Sequence, residues 1–279
     1  MPKITILCEN TVGRPGLIGE HGFAAWIELE EENLLLDTGS GQGVVHNALA
    51  LGKDLAGVEK ILISHGHYDH TGGLTAVLGL AREVAVYAHP NIFKHRVAII
   101  GSGENRIVRS AGLPYGRGYL EGQGAAFVLS EGAQEVAPGV FLTGEVPRLT
   151  DFELNDPILF EERDGAYVPD PFLDDQSLVI ESALGLIVVF GCAHAGMINT
   201  IRKAQEITGR EQVHALLGGT HLGFHTPERL EASIRALKEI DPQMVAVSHC
   251  TGLRPAARLM QEFGDRFVFA SAGSRFDFD

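Results

Sequence analysis

The sequence predicts an α/β (α+β) fold in which helices pack outside two central sheets. Short, apolar, β-branched runs dominate the early part of the chain and read as buried strands. Strands and helices then alternate through both halves, as layered architectures require. Hydrophobic residues make up 45% of the 279, enough for a substantial core within a single domain.

In chain order, strands are expected at Ile4–Cys8, Phe23–Leu29 and Asn33–Asp37, the last ending in the turn signal Asp37-Thr38-Gly39-Ser40-Gly41. A helix over Val44–Leu51 and a strand over Glu59–Ile63 follow. A helix over Leu74–Leu80 and a strand over Val84–Ala88 come next. From Pro90 to Pro171 periodicity weakens and glycines punctuate the chain, with short strands near Ala126–Leu129 and Val140–Thr143. Residues 90–171 are expected to form an insertion within one domain spanning 1–279, serving as a lid or as a homodimer contact. Regular alternation resumes with strands at Ser177–Glu181, Leu186–Phe190, Val213–Leu217 and Met244–Ser248. Helices are expected at Met197–Thr208, Pro227–Ile240 and Arg254–Phe263, with Thr226 capping the second.

Charge narrows the partners. Lys plus Arg number 22 against 36 Asp plus Glu, a net charge of −14. That balance argues against nucleic acid, whose phosphates need basic patches. A small phosphorylated substrate remains compatible, since bound cations reverse the local field. The three cysteines do not make a disulfide framework. No apolar run reaches transmembrane length and no signal-peptide pattern opens the chain, so no membrane partner and a reducing cytoplasm are expected.

The chemistry is concentrated in Ser64-His65-Gly66-His67-Tyr68-Asp69-His70. Imidazoles and carboxylates suit zinc, iron and manganese. His65 and His67, two apart on an extended stretch, can point one way while Asp69 and His70 point another, which suggests two metals. Three later strands each end in a small residue followed by a histidine: His194, His221 and His249. Strand ends gather at one sheet edge, where α/β folds bind ligands. For His21, His46, His89, His95, His214 and His225 a structural or surface role is the default.

The run His65-Gly66-His67-Tyr68-Asp69-His70 resembles the H-x-H-x-D-H signature of the metallo-β-lactamase fold superfamily, and Leu34-Leu35-Leu36-Asp37-Thr38-Gly39 resembles its strand-end Asp. Glu9-Asn10-Thr11, Glu20-His21-Gly22-Phe23, Gly191-Cys192-Ala193-His194-Ala195-Gly196 with Asn199-Thr200, and Ser248-His249-Cys250-Thr251-Gly252 resemble one subgroup. These are the 7,8-dihydropterin-6-methyl-4-(β-D-ribofuranosyl)aminobenzene-5′-phosphate synthase-like proteins.

The resemblance implies an αββα metallo-β-lactamase sandwich with the inserted segment over the active-site edge. It implies two divalent ions, zinc first, with manganese or iron as alternatives. His65 and His67 would bind one ion; Asp69, His70 and His249 would bind the other. Asp69 would also orient the nucleophile and carry a proton. The superfamily's usual mid-chain His is missing here. His194 is taken as the replacement ligand of the first ion, with Cys192 as rival. Asp175 is a ligand or a supporting group, and His221 touches substrate or the metal surroundings. Asp37 orients a ligand imidazole. The expected activity is metal-dependent hydrolysis of a small anionic molecule, phosphorylated or pterin-like. The alternatives are a dihydropterin phosphate synthase-like lyase or transferase, a di-iron redox protein, and a non-catalytic metal-binding protein. Lys94, Arg96, Arg106, Arg109 and Arg117 are candidates for phosphate recognition.

Overall fold

The computed structural model describes residues 2–278 and places the expected strands and helices within a residue or two of their expected bounds. Successive side chains leave a strand on opposite faces, and this alternation builds the layers. In β1 (Lys3–Cys8), β2 (Ala24–Glu28) and β3 (Asn33–Leu36), the side chains of Ile4, Ile6, Ala25, Ile27, Leu34 and Leu36 face one core. Leu7, Trp26 and Leu35 face another. Two seven-stranded sheets result. The first runs β18 (Arg275–Asp277), β1, β2, β3, β4 (Lys60–Leu62), β5 (Val84–Ala88), β8 (Ala125–Leu129). The second runs β17 (Phe267–Phe269), β16 (Met244–Ser248), β15 (Val213–Gly219), β14 (Gly185–Phe190), β13 (Ser177–Ser182), β10 (Val140–Leu142), β9 (Gln134–Ala137).

The central core lies between the sheets, where Ile4, Ile27 and Leu36 meet Leu178, Ile187, Val189 and Leu217. Helices α1 (Val44–Ala50), α3 (Leu74–Ala81) and α4 (Arg117–Gly122) cover the outer face of the first sheet through Val44, Ala48, Leu74, Leu78 and Leu120. Helices α5 (Met197–Thr208), α6 (Pro227–Ile240) and α7 (Leu253–Phe263) cover the second through Met197, Ile201, Leu237, Leu259 and Phe263. The order of layers is αββα. Among the described residues, no helix is long and apolar enough to cross a membrane.

The stretch 90–171 divides. Its middle contributes β8, β9 and β10 to the two central sheets. Its flanks form a separate four-stranded sheet in the order β12 (Ala166–Pro169), β11 (Leu159–Arg163), β6 (Arg96–Ile100), β7 (Ile107–Ser110). Every residue of β7 is exposed, so no apolar alternation announces it. This small sheet is tied to the His65–His70 turn: Tyr68 N donates to the Ala111 carbonyl at 3.0 Å.

Arg96, one of the five basic residues considered for phosphate, does not serve that purpose. It is buried, donates from Nε to Asp170 Oδ2 and from Nη2 to Asp174 Oδ1, each at 2.6 Å, and so holds the small sheet to the core. Asp174 in turn accepts from the backbone N of Gly66 at 2.8 Å. Gly66 has to be glycine, because a Cβ there would meet the Ile92 carbonyl and lie 2.7 Å from Arg96 Nη1.

The parallel pairings β3–β4–β5 and β14–β15–β16 put several strand C-termini at one edge of the sandwich. Asp37, Ser64, Cys192, Thr220 and His249 follow those strands directly or within two residues.

Candidate metal centre

His65 and His67 leave the end of β4 and meet His194, from the loop before α5. His65 Nε2 lies 3.1 Å from His67 Nδ1 and 3.3 Å from His194 Nε2. Burial lowers the pKa of all three, His67 to about 3, so the rings are neutral. The His65 tautomer follows from its neighbours. Ser64 Oγ donates to Asp37 Oδ2 at 2.6 Å and therefore accepts from His65 Nδ1 at 3.0 Å, leaving a bare Nε2. Three neutral imidazole nitrogens thus converge. A tetrahedral ion bound at about 2.0–2.1 Å would separate its nitrogen ligands by about 3.3 Å, close to the 3.1 and 3.3 Å from His65 to His67 and His194, and all three ligand atoms lie within 4.8 Å of one another. The set fits a metal ion.

A second donor group adjoins it. Asp69 Oδ2 lies 3.2 Å from His249 Nε2 and 3.9 Å from His70 Nε2. Cys192 Sγ stands 3.2 Å from His70 Nε2. His194 and Cys192, rivals in the sequence, both reach the centre: His194 closes on His65 and His67, and Cys192 closes on His65 and His70. Burial opposes ionisation of Asp69, but His70, His21 and His249 outweigh it and hold the carboxyl well below the usual range. The His249 ring donates from Nδ1 to Asn10 Oδ1 at 2.9 Å, and its backbone N donates to Glu9 Oε1 at 2.6 Å. That contact gives the Glu9-Asn10-Thr11 run a physical purpose.

Asp37 is the shared support. Its Oδ2 accepts from His70 Nδ1 at 2.7 Å as well as from Ser64 Oγ, and its Oδ1 accepts from Ser64 N at 2.8 Å. Burial alone would hold His70 down, yet Asp37 and Asp69 carry its pKa to about 9. An Asp37→Asn variant presents an amide donor to groups that themselves donate. It should weaken the second metal about 10- to 100-fold, read by competition with a chromogenic chelator.

Asp175 joins neither group. It is buried, and its Oδ2 accepts from Ala195 N at 2.8 Å while the backbone of His194 also donates to it. Burial pushes its pKa up to about 6. Its task is to hold the loop that presents His194. Phe172 stacks on the His194 ring at 4.3 Å between centroids. Asp37, Ala193, His221 and His249 all have φ between 50° and 57°, a left-handed conformation costing about 1–3 kcal/mol at each non-glycine residue. Four of the eight such residues among those described thus sit in the turns that present or support donors.

Above the donors lies a cavity of about 360 Å³. His67, Asp69, Cys192, His194, His221, His249 and Cys250 line one side. Ala98, Ile100, Ile158, Leu159 and Phe224 supply apolar walls, and Arg109 adds a cation. His221 stacks against Phe224, and its Nε2 faces Asp156 Oδ2 at 3.3 Å. His21, read from sequence as structural or surface, instead places Nε2 3.2 Å from Asp69 Oδ2 on the solvent side. The only sequence signal for it was its place in the Glu20-His21-Gly22-Phe23 run. Cys250 and Asp156 gave no separate signal.

A family model described as the metallo-beta-lactamase superfamily matches residues 17–197. The 7,8-dihydropterin-6-methyl-4-(beta-D-ribofuranosyl)-aminobenzene-5'-phosphate synthase of Methanocaldococcus jannaschii is 31% identical, over 97% of this chain and 95% of its own. A crystal structure described as a metal-dependent hydrolase of the beta-lactamase superfamily superposes with a TM-score of 0.84 at 28% identity, covering 100% of this chain and 99% of that one. Zinc-bound PqqB of Methylobacterium extorquens shares the fold, with a TM-score of 0.58 at 13% identity, covering 99% of this chain and 100% of its own.

Proposed function

The chain belongs to the metallo-beta-lactamase superfamily, and from that premise we propose that it is a metal-dependent hydrolase of a small anionic molecule. The convergence of close donor sets, among them His65, His67 and His194, His65, His70 and Cys192, and His21, Asp69 and His249, beneath one cavity carries this reading. His65, His67 and His194 would hold one ion; Asp69, His70, His249 and Cys192 would hold the other. Nitrogen, sulfur and carboxylate donors suit zinc, with manganese or iron as alternatives. A pair of such ions lowers the pKa of water towards neutrality and polarises a carbonyl or phosphoryl oxygen.

The protein's own groups do the rest. Asp69, ionised and facing the cavity, orients the attacking water and accepts its proton. His21 reaches the same carboxylate from solvent and gives that proton a way out. The apolar walls limit water around the reacting group. Arg109 favours an anionic substrate: of the basic residues considered, it alone lines the cavity. Arg96 and Arg117 are engaged by carboxylates, whereas Arg109 has no ion pair among the described residues. Arg109→Met should lower kcat/KM for an anionic substrate about 10- to 100-fold, as loss of a charge-assisted hydrogen bond predicts. Its melting temperature should stay near that of the parent, since the residue is exposed.

The test is turnover of activated phosphate esters and lactones by metal-loaded protein, before and after chelation. Activity that survives complete metal removal would overturn the proposal. The similarity to the Methanocaldococcus jannaschii synthase favours a second reading, a synthase-like reaction on a pterin phosphate. Binding of pterin-type phosphates in a thermal-shift assay supports it, and failure to bind counts against it.

A further inference from the structure

We propose that Cys192, Cys250 and His221 form a third metal position, sulfur-rich and open to the cavity, that takes a thiophilic divalent ion such as zinc or cadmium. Their donor atoms lie within 4.8 Å of one another. Cys192 follows β14 and Cys250 follows β16, strands separated in the sheet by β15. The thiols come together over the end of β15 because Gly219 has no side chain. A Cβ there would lie 2.7 Å from Cys250 Sγ and 3.4 Å from Cys192 Cα. The Cys250 sulfur already accepts the backbone N–H of His221 at 3.3 Å.

His221 supplies the second, independent sign. Only 7% exposed, it directs Nε2 to Asp156 Oδ2, while its buried Nδ1 has no hydrogen-bond partner. A carboxylate on one ring nitrogen, with the other left for the metal once its proton is displaced, is how proteins support metal-ligating imidazoles. Two thiols and an imidazole select zinc or cadmium over magnesium, calcium or manganese. All three residues line the cavity, so a fourth coordination position would face it. Binding displaces to solvent the protons that the thiols and the His221 ring still carry. Because Cys192 Sγ also lies 3.2 Å from His70 Nε2, its thiolate would bridge this position and the second donor group.

The experiment titrates reduced, metal-free protein with cadmium. It follows the ultraviolet thiolate-to-cadmium absorption and counts bound metal by elemental analysis after desalting. Three equivalents are expected for the parent. Cys250→Ser should keep two, proving it folded, and lose the third with about half of the absorption. Asp156→Asn should weaken only the third equivalent, about 10- to 100-fold. A parent that saturates at two equivalents overturns the proposal. So does a Cys250→Ser protein that binds three with unchanged absorption. Neither outcome bears on whether the enzyme hydrolyses its substrate.

Discussion

Replacing His67 with alanine should strip metal from the first donor group and cut turnover by more than about 100-fold, while the protein stays folded. Loss of a ligand exceeds the 10- to 100-fold cost of losing a ligand's supporting partner. The fold should survive because His67 Nε2 has no hydrogen-bond partner and its Nδ1 contacts only another imidazole nitrogen, that of His65. Removing it leaves no charged group unpaired, because burial keeps the ring neutral. Elemental analysis and circular dichroism melts read the two halves of the result. A variant that keeps its full metal content would count against His67 as a ligand.

Arg96→Ala should produce the largest loss of stability, about 3–5 kcal/mol, because it leaves uncompensated charge in the interior. Asp170 and Asp174 are only 1% and 0% exposed, and the guanidinium binds both. The melting temperature should fall by about 10 °C for a chain of this size. The damage should spread to the metal turn, since Asp174 also holds Gly66 N. Denaturant melts beside Arg109→Met separate the two arginines: one should lose stability, the other substrate affinity. Equal stability of the two variants would contradict the assignment.

That pair also shows what the chain reveals on its own. Arg96 and Arg109 stand in the same glycine-punctuated stretch with similar neighbours, and nothing local distinguishes a buried clamp from a cavity-lining cation. The distinction lies in Asp170 and Asp174, far along the chain. The central strands were legible because both faces are buried, so their residues read as unbroken apolar runs. The small sheet was not, because β7 is exposed throughout, β12 largely so, and β11 has a single buried residue. Within the centre, His65 to His70 stood out by local density. His21, Asp156 and Cys250 join it only through tertiary contact. Asp175 was legible as important, but its work on the backbone of His194 was not.

The contact between His249 and Glu9 spans 240 residues. A growing polypeptide thus carries the His65–His70 turn well before it carries the residue that completes the second donor group. Domains begin to fold from the N-terminal side during synthesis, and contacts this distant close last. On the proposed ligand set, a second ion would have to wait until the ribosome has emitted the C-terminal segment and it has docked beside the first strand. The centre is thus a late checkpoint on a finished fold, and a chain truncated before His249 should retain its early turn yet never load its second ion.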